Sequence, residues 1–130
     1  MALQVDIVTP TSLAWSGEAT EVGIPGFLGE FDVLEGHEDY LSLTTGGLLA
    51  VTDTSGTTHK FVVGRGFAEA GMDRVTLLVD SCVAASEVDK SEAMNEYNAA
   101  ENALVNASFG DADWNAAEEQ RELAMAKMRL

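Results

Sequence analysis

Glycine and proline are confined almost wholly to one part of this chain, and that distribution limits what it can fold into. Eleven of its twelve glycines, and both prolines, Pro10 and Pro25, lie in residues 1–84; residues 85–130 keep only Gly110. Both residue types disfavour helix interiors and favour turns. The front also holds most of the β-branched residues, whereas the back is rich in Ala, Glu and Met. The reading is an α+β chain: an antiparallel β-sandwich or barrel over residues 1–85, then an antiparallel two-helix hairpin over 86–130.

Short strands account for the front. Leu3, Val5 and Ile7 alternate with Gln4 and Asp6 until Pro10, and Leu13 and Trp15 alternate again before Gly17. Residues 20–24 run into the turn signal Pro25-Gly26. Residues 48–52 and 59–63, joined through Asp53-Thr54-Ser55-Gly56, read as a hairpin, and residues 67–70 and 75–79 read as another. No helix-length periodic segment interrupts these runs, which argues against a parallel α/β sheet.

After Ser86 the period becomes helical. Asp89 with Glu92 has capping-box spacing, and Met94, Tyr97 and Leu104, flanked by Ala93, Ala100 and Ala103, predict one apolar stripe. Residues 108–111 break it. A second helix is expected from near Asp113, with Trp114, Ala117, Ala124, Met125 and Met128 on one face. The alanines would allow a close approach of the two helices.

Charge and chemistry exclude several functions. The chain of 130 residues has 22 acidic and 7 basic residues, a formal net charge of −15. Such a surface repels phosphate backbones and anionic lipid, so neither nucleic-acid binding nor direct lipid insertion is expected. No run reaches the roughly 18 apolar residues of a membrane helix, and MALQVDIVTP does not read as a secretory signal. The single cysteine, Cys82, excludes an internal disulfide and is read as a small buried hydrophobe.

The residues offer no convincing catalytic, cofactor or metal site. Gly64-Arg65-Gly66 is a lone GxG, read as a bend at a strand end. His37 stands among Glu35, Glu38 and Asp39, but consecutive side chains diverge and no second histidine is near. His59 is read as a solvated or edge strand residue. Asp111, Asp113, Asn115 and Glu122 hold the first, third, fifth and twelfth positions of a calcium loop, but its required glycine is Ala116. Helix capping with exposed acids explains those residues equally well.

Three segments resemble the epsilon subunit of F-type ATP synthases. They are residues 29–37 (GEFDVLEGH) with Leu41 and Gly46, residues 63–69 (VGRGFAE) with residues 75–80 (VTLLVD), and the opening VDIVTP with Ser16-Gly17. The similarity covers residues 3–89, with the helical hairpin following in the expected order. The resemblance implies a flattened β-sandwich of about ten strands followed by two helices. It also implies a subunit of the central rotor stalk, without catalytic activity or cofactor of its own. Such a subunit binds the gamma subunit and touches the membrane rotor ring, coupling proton flow to ATP synthesis performed by other chains. Its location would be peripheral, on the cytoplasmic face of a bacterial plasma membrane.

Carried over residue by residue, the resemblance assigns Glu30, Phe31, Asp32 and His37 to a ring-facing loop. It makes the helical tail, with Arg121, Lys127 and Arg129, an element that in some members reaches the alpha/beta catalytic head and inhibits ATP hydrolysis. Three departures stand out. Residues 35–39, EGHED, lack the family's two prolines; Arg65 replaces a small residue between glycines, where a nearby acid is its expected partner; and Glu92 replaces the arginine of the ATP-binding motif that opens the first helix. A triphosphate needs cations there, so no ATP binding is expected. Without the resemblance, the same residues describe a stand-alone β-sandwich module whose hairpin recognises a protein partner.

Overall fold

A computed structural model describes residues 2–130. Nine strands come first: β1 (Leu3–Val8), β2 (Leu13–Gly26), β3 (Gly29–Leu34), β4 (Tyr40–Thr44), β5 (Gly47–Asp53), β6 (Thr58–Val63), β7 (Gly66–Ala70), β8 (Arg74–Val79) and β9 (Cys82–Ala84). A short 3-10 turn leads to α1 (Lys90–Asn106) and α2 (Ala112–Met128). The expected strands-then-hairpin order is present, and both predicted β-hairpins form, as β5–β6 and β7–β8.

The strands make a sandwich. One layer runs β4–β7–β8–β1 and ends on the first half of β2; the other runs β3–second half of β2–β5–β6–β9. All pairings are antiparallel except β1 beside β8. The core is the inward side of that alternation: Leu3, Val5 and Ile7 of β1 meet Val22, Leu49, Val51, Val75 and Leu77, all fully buried. Stripping such residues from water is the main stabilising term.

The strand count is nine rather than about ten because β2 is continuous where two strands were expected. Gly17 does not break it. A Cβ there would lie 2.8 Å from the Trp15 indole, so the glycine makes room for the ring two residues back on the same face. Register slips instead between Ala19 and Glu21, leaving Thr20 as the extra residue of a bulge where β2 passes from one layer to the other.

The helices differ from expectation in what they bury. Asp89 caps α1 as predicted, accepting from the Ser91 and Glu92 amides. The buried positions, however, are alanines: Ala93 and Ala100 of α1, and Ala117, Ala124 and Ala126 of α2. Met94 is 47% exposed, and Ala103 and Met125 are also exposed. Two helices in close contact leave room for methyl groups only, so the longer side chains are displaced to the flanks. Arg121 to Glu101, and Lys127 to Glu96 at 3.1 Å, bridge the helices along those flanks. The α2 helix lies against β5 and β6. Val62 of β6, outside the sandwich core yet 1% exposed, is buried on that side.

The β5–β6 turn is organised by one carboxylate. Asp53 accepts from the Ser55 amide and hydroxyl, from the Thr57 amide, and lies 2.8 Å from His59 Nε2. His59 is in turn 5.5 Å from Trp15, ring to ring; it lies on β6 ahead of the stretch that β9 covers, so it is a part-exposed edge position tied into this network. The Ser55 hydroxyl foremost, then His59, hold the Asp53 carboxyl well below the usual range. A carboxyl depressed in the folded state stabilises it above the unfolded value near 4, and that contribution fades as pH falls below it. Asp53→Asn therefore lowers Tm at neutral pH, and thermal melts at successively lower pH should show the gap to wild type closing below about pH 4.

Candidate functional site

The two outer faces of the sandwich are unlike. The face formed by β5 and β6 carries α2. The opposite face, on β4, β7, β8, β1 and the start of β2, carries no helix, and cross-strand register aligns a row of apolar side chains on it. Leu43 pairs with Phe67, Phe67 with Leu78, Leu78 with Val8, and Val8 with Leu13. Leu43, Phe67, Leu78 and Leu13 are 51%, 48%, 49% and 59% exposed. Phe27 extends the row, its amide donating to the Leu43 carbonyl at 2.9 Å. Two residues further along the strands, Leu41 continues the apolar side chains on β4, while the rest of the aligned row is polar: Glu69, Thr76, Asp6 and Ser16. Asp6 there accepts from Ser16 and Arg74, and the Ser16 hydroxyl foremost lowers its pKa.

The expected ring-facing residues lie along a strand rather than in one loop. Glu30, Phe31 and Asp32 belong to β3, which pairs with β2 alone and so forms a sheet edge. Strand alternation sends them to opposite faces: Glu30 and Asp32 are exposed, whereas Phe31 packs against the core and edge-on to Tyr40 at 5.4 Å. His37 lies beyond the other end of β3, its Nδ1 donating to the Glu38 carbonyl at 2.6 Å and its ring 6.3 Å from Tyr40. Tyr40 thus joins Phe31 to His37, a link that sequence reading missed; the period-2 pattern of residues 40–44 was the available signal. No group of acids, histidines or cysteine among the described residues is arranged to hold a metal ion.

The calcium reading fails on geometry. α2 starts at Ala112, so Asp113, Asn115 and Glu122 lie on a helix instead of wrapping around a loop. Glu122 has another partner. Its carboxylate receives Arg65 Nε and Nη2 at 3.2 and 3.1 Å and the Gly46 amide, while Arg65 Nη1 reaches Glu119 at 3.4 Å. Glu122 above all raises the Arg65 pKa. Arg65 has the acidic partner expected of it, and this partner ties the hairpin to the sandwich. Gly66 beside it admits no side chain, since a Cβ would overlap the Leu78 carbonyl. Cys82, half-buried on β9, packs against the core, and burial raises its pKa.

Of the tail cations, Arg121 lies between Glu101 and Glu118 and 5.9 Å from the Tyr97 ring centre. Its pKa is raised, mainly by Glu101. Lys127 faces Glu96, and Arg129 is exposed just past α2.

Comparison with known proteins fixes the relationship. Residues 2–85 match the family described as ATP synthase, Delta/Epsilon chain, beta-sandwich domain. The chain belongs to that family. It is 36% identical over 129 residues to the ATP synthase epsilon chain of Nitratidesulfovibrio vulgaris strain DP4, covering 99% of this chain and 95% of that one. The Anaeromyxobacter dehalogenans strain 2CP-1 epsilon chain is 33% identical over 130 residues, covering 100% and 98%. In fold, the chain is similar to a chain of the Euglena gracilis mitochondrial ATP synthase OSCP/F1/c-ring structure, with TM-score 0.83 and 20% identity, covering 96% of this chain and 78% of that one. A chain of the Tetrahymena thermophila mitochondrial ATP synthase central stalk/c-ring structure superposes with TM-score 0.64 and 12% identity, covering 99% and 96%. Among the described residues, no helix is long and apolar enough to cross a membrane.

The opening of α1 is where the resemblance places the ATP-binding motif of some epsilon subunits. Here the amides of its first turn already bond to Asp89, at 2.9 Å from Ser91 and 3.3 Å from Glu92, and Ser91 foremost lowers the Asp89 pKa. That end of the helix has its anion built in, and Glu92 adds a second negative charge. Isothermal calorimetry with ATP raised to millimolar concentration should give no binding isotherm; a saturable one overturns this expectation.

Proposed function

We propose that this epsilon chain is a non-catalytic subunit of the ATP synthase rotor, coupling ion flow through the membrane ring to ATP synthesis in the catalytic head. The observation that carries the reading is the inequality of the two sandwich faces. One is covered by the chain's own hairpin, while the other presents an apolar row across five strands, a pattern that marks a protein contact. The gamma subunit is the partner assigned to this row. The polar row beside it, with Glu69 and Asp6, suits a gamma segment that is apolar with basic residues on one flank.

The exposed edge of β3, with Glu30 and Asp32, and the His37 turn beyond it are assigned to the ring. Acidic side chains on an edge strand prevent indiscriminate strand pairing and still allow contact with polar or basic ring loops. The chain would then sit peripherally at the membrane, on the cytoplasmic side, without entering lipid. Regulation falls to the hairpin. To reach the alpha/beta head as an extended tail, α2 must leave the sandwich, breaking the contacts of Arg65 with Glu119 and Glu122. Arg121 and Lys127 then become available only if the two helices also separate from each other, whereas Arg129 is available from the start.

A tagged copy purified from its host's membranes should bring down gamma, alpha and beta in a detergent-stable complex. Recovery as a free chain from a host whose synthase is complete without it would sink the reading. Phe67→Asp should leave the thermal melt cooperative and weaken gamma binding at least tenfold, since a charge enters the middle of the apolar row. Glu30→Lys should lower proton-driven ATP synthesis in the assembled enzyme with folding unchanged; full coupling would remove the ring assignment. Deleting residues 86–130 from the assembled enzyme should raise ATP hydrolysis, and a flat response would exclude tail inhibition.

A further inference from the structure

The apolar row does not stop at the sandwich. At the Leu43–Phe67 end it opens into a cleft of about 470 Å³ lined by Phe27, Leu43 and Phe67 on one side and by Arg65, Asp80 and Glu122 on the other. Glu122 belongs to α2, so the hairpin supplies part of the wall. A chain seated on the row therefore meets the Arg65–Glu122 pair, which stands part-exposed at the rim. We propose that gamma binding on this face and docking of the hairpin on the sandwich are thermodynamically coupled through this pair. Gamma seated on the row holds the hairpin down, and a docked hairpin raises the affinity for gamma.

The coupling has a physical cause. A part-exposed ion pair is weak because water screens it. Covering it strengthens the attraction, and the usual desolvation penalty is limited where the polar atoms are already bonded. Here they are: Glu122 takes two guanidinium nitrogens and the Gly46 amide, and Arg65 also reaches Glu119. Asp80, exposed on the same rim and in no ion pair among the described residues, leaves the cleft with more negative than positive charge. The segment of gamma that fills it would accordingly be apolar with a lysine or arginine, as on the rest of the row. Coupling between two sites is reciprocal, so each partner must change the other's equilibrium by one and the same factor.

The inference rests on gamma occupying the apolar face, and the test separates the two. Hydrogen exchange is followed by mass spectrometry on the full chain, free and bound to its own gamma subunit, in wild type, Arg65→Gln and Gly46→Ala. Gly46 is a useful second site because it is buried and absent from the cleft lining, while a Cβ there would lie 2.5 Å from the Glu122 carboxylate and displace it from the Gly46 amide and from Arg65. Gamma should protect β4, β7 and β8 and also slow exchange in residues 112–128 by about fivefold or more, the low end of usual coupling. Both variants should speed that exchange in the free chain and weaken gamma binding by a similar factor.

Protection of β4, β7 and β8 with unchanged exchange in α2 overturns the coupling and leaves the gamma assignment standing. So does a Gly46→Ala chain whose hairpin loosens while its gamma affinity stays at the wild-type value. Should neither variant speed exchange in α2, the pair is not what holds the hairpin, and the inference also fails. Absence of protection anywhere on β4, β7 and β8 refutes the gamma assignment itself and takes the coupling with it.

Discussion

The strand β2 is the element on which the rest of the architecture depends. Its fourteen residues serve both layers, pairing with β1 before the Thr20 bulge and with β3 and β5 after it, then touching β4 at Gly26. A sandwich built otherwise would need two strands and a loop to cross its edge, and its layers could shift against each other. Sharing one strand fixes their relative register, because a slip in either layer would turn Val22 or Ile24 out of the core. Each outer face thereby acquires a fixed pattern. The alignment of Leu13, Val8, Leu78, Phe67 and Leu43 is a consequence of that register.

The hairpin, by contrast, has little to hold it by itself. Seventeen-residue helices are near the lower limit of independent stability, and their shared interface consists mainly of alanine methyls, which bury little area each. Bridging charges at Arg121 and Lys127 add modestly, as partly exposed pairs do. Docking on β5 and β6 supplies the remaining apolar burial, with Glu122 and Arg65 at its margin. Under the proposed regulation, an element bound by so little hydrophobic area and so dependent on a few charges would leave its site without unfolding the sandwich. This is the property a regulatory tail requires.

Much of this was legible in the sequence, for reasons that can be given residue by residue. Alternation in residues 3–7 and the turn residues around Gly56 and Gly71 are local signals, and they placed β1 and both hairpins. Continuity of β2 through Gly17 was not legible, because the glycine serves the Trp15 ring and its effect depends on a side chain folding back over it. The helical faces were misjudged for a similar reason: helical period ranks Met94 and Ala93 together, and only the spacing between two packed helices favours the smaller. Arg65 looked anomalous beside its glycines, and its partners lie 54 and 57 residues away. The apolar row was invisible, since each strand contributes a single member and register alone brings the five into line.

Charge finally explains why contacts on this chain must be selective. The chain has 7 basic residues against 22 acidic ones. Among the described residues, Arg65, Arg74, Arg121 and Lys127 form internal ion pairs, which leaves Lys60, Lys90 and Arg129 as cations without such a bridge. Nearly every outward surface is therefore acidic, and any acidic partner is repelled at long range before contact is made. Attraction has two routes left: basic residues on the partner, or desolvation of apolar area. The face bearing Phe67 offers both within two residues along β7 and β1, where Phe67 and Val8 are followed by the acids Glu69 and Asp6. A partner must satisfy both at once in a single orientation, so the arrangement that permits binding also fixes the angle at which the chain is held, as the proposed coupling role would require.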